Sequence, residues 1–287
     1  MNEEDGDWQD WIGRAEIRHD VLTPALVARF RATIDSAEAA EVVPQGIHWC
    51  LCLPDAPTAQ LGADGHPHRT GDPSDFLPPI ALPRRMWASS SVEFASPLHV
   101  GAAIQRTSTI AAIRDKTGTS GHLVFVTIAH EVLADGVISV REEQTIVYRA
   151  ANSAAPAFVA PRAGIADIDA GQWPVSRTLT PSEAMLLRYS ALTFNAHRIH
   201  YDLPYAQAVE GYAGLVVHGP LTATLLLDHA AQLIGHNRLK SFAFRGLAPA
   251  FCGEDVTLVA RRDGDTLTLA ALGPTGQACM TAEAVLG

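Results

Sequence analysis

The sequence predicts an α+β fold made of two similar halves, each a helical segment followed by an antiparallel meander. Three observations carry this expectation: a weak internal duplication, alternating runs punctuated by glycine turns in both halves, and one apolar helix present only in the second half. With 287 residues, 47% of them hydrophobic and 18% charged, the chain can form one large domain or two fused small ones.

The first half opens on Val21-Leu22-Thr23-Pro24, followed at helical spacing by Leu26, Val27, Phe30 and Ile34. The second repeats this with Thr178-Leu179-Thr180-Pro181, followed by Met185, Leu186, Tyr189 and Leu192. In both, Thr is the expected N-cap and Pro the expected first helical residue, where a missing N–H breaks no helical bond. Glu183 would complete a capping box with Thr180. Later, Phe94 to Gly101 parallels Gly246 to Gly253, each containing Pro-x-x-x-Gly ahead of strand-like alternation. Strands are expected at Ala103 to Ile113, His122 to Leu133 and Val137 to Tyr148, with turns at Lys116 to Gly121 and Asp135-Gly136. The second half repeats them at Asp255 to Arg261, Thr266 to Leu272 and Gln277 to Leu286, with turns at Asp263-Gly264 and Pro274 to Gly276.

Pro220 to Gly235 is apolar on nearly every face, which predicts a helix buried on most sides. Its counterpart region, Pro73 to Pro83, is too rich in proline for a regular helix. The first half is therefore expected to have lost its central helix and any site that accompanied it. Ala150 to Pro161 has the Ala, Ser and Pro content of a linker, giving expected domains at 1–160 and 161–287.

A formal net charge of −10 argues against a nucleic-acid binder, whose affinity comes from neutralising phosphates. No apolar run approaches the ~20 residues needed to cross a bilayer. Glu3, Glu4, Asp5 and Asp7 make the start too acidic for a signal or transit peptide, so a cytoplasmic location is expected. Cys50, Cys52, Cys252 and Cys279 are spaced neither like a zinc site nor like a disulfide framework, and reduced thiols are expected. His66-Pro67-His68 beside Asp64 lacks a spaced set of partner ligands and reads as a turn. Trp49 and Trp87 read as core or pocket wall, and Asp228 and His229, on the buried helix, as packing or hydrogen-bonding residues.

The richest chemistry lies in Arg188 to Asp202 (RYSALTFNAHRIHYD) and Gly214 to Pro220 (GLVVHGP). The first segment resembles the MaoC-type, or (R)-specific enoyl-CoA hydratase 2, signature: Ser or Thr, an Asp two residues on, Asn-Pro, an apolar residue, His and a downstream Asp. Thr193, Ile199, His200 and Asp202 fit it. The family's catalytic Asp falls on Asn195, its Asn on His197, its Pro on Arg198, and its His-Gly pair on His218 and Gly219. These departures are similar to the type 2 hydroxyacyl-thioester dehydratases and the mesaconyl-C4-CoA or itaconyl-CoA hydratase group. Leu82-Pro83-Arg84-Arg85-Met86-Trp87 resembles that group as well.

The resemblance implies a double hotdog, two fused halves that each wrap an antiparallel sheet around a central helix. The first half would be degenerate and of the FAS1-like dehydratase type, and the second would carry the MaoC-like motif. It also implies a hydro-lyase acting on an acyl-CoA thioester, with CoA as part of the substrate and no metal or organic cofactor. Hydration needs a base for water, an acid for the α-carbon and donors for the enolate oxygen. His200 is the expected base, because histidine titrates near neutrality. Asn195 cannot exchange a proton. Either His197 supplies a second titratable group, or one histidine shuttles the proton while Asn195 orients the water. Gly219 offers an N–H at a helix N-terminus, where negative charge is favoured, or simply permits the turn into Pro220. Tyr189, Thr193 and His218 are expected to line the substrate.

A C5 dicarboxyl thioester requires a cation, and Arg198 and Arg188 are the expected candidates, with salt bridging as their alternative. Arg84 and Arg85 would meet CoA phosphates or stand in solvent. The expected activity is hydration of mesaconyl-C4-CoA or itaconyl-CoA to citramalyl-CoA. The competing readings are a (3R)-hydroxyacyl-thioester dehydratase for linear chains, a hotdog thioesterase and a non-catalytic acyl-CoA-binding module. A double hotdog pairs its sheets within one chain, and two such chains could form a homodimer.

Overall fold

A computed structural model of the chain describes residues 8–36, 42–72, 75–118, 121–150 and 168–287. Ten strands form one antiparallel sheet. In the first half, β1 (Ala15–Val21) leads into α1 (Pro24–Ile34), and β2 (Arg84–Phe94) precedes the meander β3 (Ala103–Gly118), β4 (Gly121–Ala134) and β5 (Val137–Arg149). In the second, β6 (Val175–Leu179) leads into α2 (Glu183–Thr193), a short α3 (Leu203–Ala208) and α4 (Gly219–Ile234). β7 (Leu239–Gly246) then precedes the meander β8 (Val256–Asp263), β9 (Thr266–Leu272) and β10 (Ala278–Leu286). The spatial order is β1-β3-β4-β5-β2-β7-β10-β9-β8-β6, so the two halves repeat one topology and join where β2 pairs with β7.

The expected meanders are present, and the Asp135-Gly136 turn has the positive φ angles, 50° and 81°, that a tight two-residue hairpin needs. Thr23 caps α1 as expected, accepting the Leu26 N–H at 3.1 Å. The cap of α2 corrects the sequence reading: Ser182 accepts the Met185 N–H, Glu183 is the first helical residue, and Pro181 lies outside the helix. The Thr180 hydroxyl is engaged instead by Asp255, at 2.5 Å, which leaves the capping role to the next suitable side chain. Residues 151–161 of the expected linker lie outside the described residues.

α4 is buried continuously from Leu221 to Ala230 and packs against β8, β9, β10 and β2. Its polar Asp228 accepts from Arg177 of β6 at 2.9 Å and from Gln232 at 2.8 Å, which satisfies the buried carboxylate. One apolar core runs through both halves, joining Phe30, Ile47 and Trp49 to Leu225, Leu226 and Phe242. Among the described residues, no α-helix lies between α1 and β2, so the first-half sheet has no counterpart of α4. No described helix is long and apolar enough to cross a membrane.

Candidate active site

The backbone from Thr193 to Asp202 is held by its own side chains. Phe194 closes α2 in the left-handed region at φ 48°, and the Thr193 hydroxyl donates to the Tyr189 carbonyl at 2.8 Å. Asn195 Oδ1 accepts the His197 N–H at 2.9 Å, the local turn to which Asn is suited. A 3-10 turn at Arg198–His200 follows, and Asp202 then caps α3 through Tyr205 N–H.

These turns place His200 under α4, 7% exposed. Its Nδ1 lies 2.7 Å from the Val216 carbonyl. A carbonyl oxygen only accepts, so Nδ1 carries the proton and neutral His200 keeps the Nε2 lone pair available as a base. The His218 ring stacks on His200 at 3.6 Å and 18°, with Nε2 2.8 Å from Ser190 Oγ and a buried, unpartnered Nδ1. His197 stands edge-on to His200 at 5.5 Å, and His66 lies 4.2 Å from His197. Four imidazoles thus form one row.

His66 comes from the first half. Its loop is closed by Gly62 N–H donating to the His66 carbonyl at 2.7 Å. Asp64 accepts the His66 backbone N–H at 3.0 Å and Nδ1–H at 2.9 Å, leaving His66 Nε2 as the acceptor. Arg198 fastens this loop to the catalytic segment, its N–H donating to the Asp64 carbonyl and its Nη1 to that of Ala63, both at 2.9 Å. Gly65 is required here: its φ is +89°, and a Cβ would sit 1.8 Å from the Ala196 carbonyl oxygen.

The turn expected around Asp64 is present, but the absence of a partner ligand is corrected, because His197 brings a ligand atom within 4.8 Å of Asp64 and His66. The Asp64 carboxylate is already bonded to His66, and the charge of Arg85 acts on both histidines, so the trio is a hydrogen-bonded acid/base group facing a cation. Asp64 and His66 are the site residues that sequence reasoning missed.

A cavity of about 2230 Å³ opens over the row, walled by both halves. His200, His197, Asn195, His218, Gly219, Thr193, Arg84 and Arg85 line it, as do Trp49 and Trp87. Gly219 is the first residue of α4; among the described residues its N–H has no acceptor, and the nearest atom to an added Cβ would be the Trp87 carbonyl at 3.8 Å. The helix therefore presents an open N–H to the cavity.

Three expected site residues are not there. Tyr189 is buried between α2 and α4 with its hydroxyl 3.3 Å from Thr224. Arg188 donates to the Ala32 carbonyl of α1 at 3.2 Å, outside the cavity. Arg198 is paired with Asp202 at 2.7 Å and lies over Tyr205. Arg198 is thus taken by a partner four residues on and by the Asp64 loop, and Arg188 by α1, so the salt-bridging alternative holds for Arg198 and a helix-to-helix contact for Arg188. Of the two loop arginines, Arg84 is buried against Glu210 at 3.1 Å, while Arg85 faces the histidines.

Burial sets the protonation states. It pushes His200 down to about 4, against the carbonyl bond that favours the charged form. His66 falls to about 4 through burial and then the charge of Arg85. His197 falls to about 2 and His218 well below the ordinary range, through burial and neighbouring imidazoles. Burial works against ionisation of Asp64 too, yet its bonds to His66 hold the carboxyl well below the carboxylate range. At neutral pH the row is uncharged.

A sequence model of the hydroxyacyl-thioester dehydratase type 2 family matches residues 46–252. The mesaconyl-C(4)-CoA hydratase of Chloroflexus aurantiacus is 41% identical over 98% of both chains. Among solved structures, a MaoC-like dehydratase from Phytophthora capsici aligns at TM-score 0.67 with 15% identity, over 97% of this chain and 98% of its own. A Mycobacterium tuberculosis protein with a double hotdog fold aligns at TM-score 0.58 with 12% identity over the whole of both chains. The expected double hotdog architecture is the observed one.

Proposed function

The chain belongs to the hydroxyacyl-thioester dehydratase type 2 family and is a hydro-lyase; from that premise we propose that it reversibly hydrates mesaconyl-C4-CoA or itaconyl-CoA to citramalyl-CoA. The single observation that carries the mechanism is the 2.7 Å bond from His200 Nδ1–H to Val216, which leaves Nε2 to take a proton from water. With mesaconyl-C4-CoA, the hydroxide formed adds to the β-carbon, and charge develops on the thioester oxygen. The open Gly219 N–H at the N-terminus of α4 meets that oxygen, a donor of the kind worth about 3 kcal/mol in a transition state.

The returning proton must go to the α-carbon. Because the site holds His66, His197 and His218 neutral, none of them brings a proton to donate, and His200 gives back the one it took. The role of Asn195 is to hold the turn that presents His197. CoA enters as part of the substrate, and no cofactor is required by this scheme. Four unpaired cysteines fit a reducing, cytoplasmic setting. Pairing of β2 with β7 completes the sheet inside one chain, so a homodimer would carry two self-sufficient sites.

The test is incubation with mesaconyl-C4-CoA, itaconyl-CoA and crotonyl-CoA, following enoyl absorbance where the substrate is conjugated and product mass in every case. Water addition to a C5 thioester is expected, and His200→Gln should lower kcat by about 100-fold or more. Addition to none of the three would overturn the reading, and selective use of long linear chains would favour the (3R)-hydroxyacyl-thioester reading instead.

A further inference from the structure

We propose that Arg85 and Arg69 together form the receptor for a free carboxylate on the β-carbon of the acyl group, making the site selective for dicarboxylyl thioesters. The inference rests on the hydro-lyase reading and deepens it. Arg85 of β2 stands opposite Tyr148 of β5, and directly opposed residues share a face of the sheet. The Arg69 guanidinium lies over the Tyr148 ring, 5.0 Å from its centroid. Both arginines line the cavity together with His66, His197 and His200.

Part of their donor capacity is unused. Among the described residues the Arg85 side chain has no carboxylate or hydrogen-bond partner. Arg69 donates to the Leu82 carbonyl at 3.3 Å and interacts with the Tyr148 hydroxyl, while its buried Nη1 has no acceptor in good hydrogen-bond geometry. Of the neighbouring arginines, Arg84 is engaged by Glu210, Arg198 by Asp202 and Arg106 by the Leu51 and Cys52 carbonyls, while Arg149, opposite Arg84, also lines the cavity with a buried Nε that has no partner among the described residues. The Arg85 charge acts against that of Arg69, and Asp64, already bonded to His66, offsets only part of this repulsion, so a further anion between the two guanidinium groups is favoured.

The position suits one acyl chemistry. When the thioester's β-carbon bears a carboxylate, that anion sits on the atom that receives the hydroxyl. Its counter-cation must then stand beside the base, not at the end of a chain tunnel. Arg85 lines the same cavity as His200, and its charge acts on His66 and His197, the two imidazoles that continue the row from the base. Neutralising the carboxylate also removes its repulsion of the incoming hydroxide. A CoA phosphate would be the other anion for these guanidiniums, and the two sources are separable.

The experiment uses two unreactive thioesters that share CoA but differ at the β-carbon, which bears a carboxylate in succinyl-CoA and a methyl group in butyryl-CoA. Calorimetry on the intact enzyme should show succinyl-CoA bound more tightly, on the order of tenfold or more. Arg85→Gln should abolish that preference, Arg69→Gln should weaken it, and Arg85→Lys should restore part of it. Equal loss of both ligands in Arg85→Gln would assign the pair to CoA phosphates and overturn the proposal, as would a preference that survives both substitutions. If the preference behaves as expected but mesaconyl-C4-CoA is not hydrated, the substrate reading fails and the carboxylate receptor stands.

Discussion

At the scale of single residues, the proton balance of the His200 site has a stereochemical consequence. One group that takes a proton from water and returns it to the α-carbon acts from one face of the acyl plane. Hydration of mesaconyl-C4-CoA in D2O should therefore place deuterium and hydroxyl on the same face, read from the proton spectrum of the released citramalate. Anti addition would require a second acid and would remove His200 as sole shuttle. The lowered proton affinity also shifts the pH profile: with the folded value near 4, His200 is already the free base at pH 6. The acidic limb of kcat/KM should fall well below 6.5, toward about 4, and a limb at 6.5 would contradict the desolvated geometry. His200, Asn195, His197, His218 and Gly219 were legible because they share one short segment and one helix start. Asp64 and His66 were not, because their chemistry appears only when a distant loop is folded onto Ala196.

At the scale of elements, that loop is the joint between the halves, and Gly65 is its tightest point. Gly65→Ala would force a Cβ into the Ala196 carbonyl and push the loop off the catalytic segment. We expect kcat/KM to fall at least about tenfold with the circular dichroism spectrum retained, since the sheet does not depend on this contact. Unchanged kinetics would show that the His66 loop is not part of the working site. Element reading from sequence followed burial: α4, β9 and β10 were found at close to their observed bounds because apolar periodicity marks them. β1 and β6 were missed because they are edge strands with exposed, polar alternation, and β2 because serines occupy the seam where it meets β7. The cap of α2 was misplaced by two residues because the Thr180 hydroxyl has a tertiary partner, Asp255, that no local pattern announces.

At the scale of the molecule, the neutral imidazoles link catalysis to acid stability. His66 and His200 bind protons near 4 when folded, against 6.5 as free groups. The unfolded chain therefore takes up protons that the folded chain refuses once pH falls below about 6.5. Their stabilising contribution is complete above that value and is lost as pH drops toward 4. The Tm should fall by roughly 5 °C or more between pH 7.5 and 4.5, and His200→Gln should flatten part of that slope. The seam makes a second whole-molecule demand. Residues 168–287 alone would expose the β7 edge and lose the Asp64 loop, so this half should aggregate or remain inactive until the first half is supplied.

That no counterpart of α4 is found among the described residues of the first half has a further effect. Close-packed proteins rarely tolerate a large void, yet a cavity is walled on the first-half side by Ile128, His130, Val132, Glu142 and Gln144 of β4 and β5. One half thus supplies the reacting groups and the other much of the room in which the acyl group sits. Capacity and reactivity are written in different parts of the gene product, so a change in the size of molecule accepted can accumulate on β4 and β5 without disturbing the imidazoles that perform the reaction.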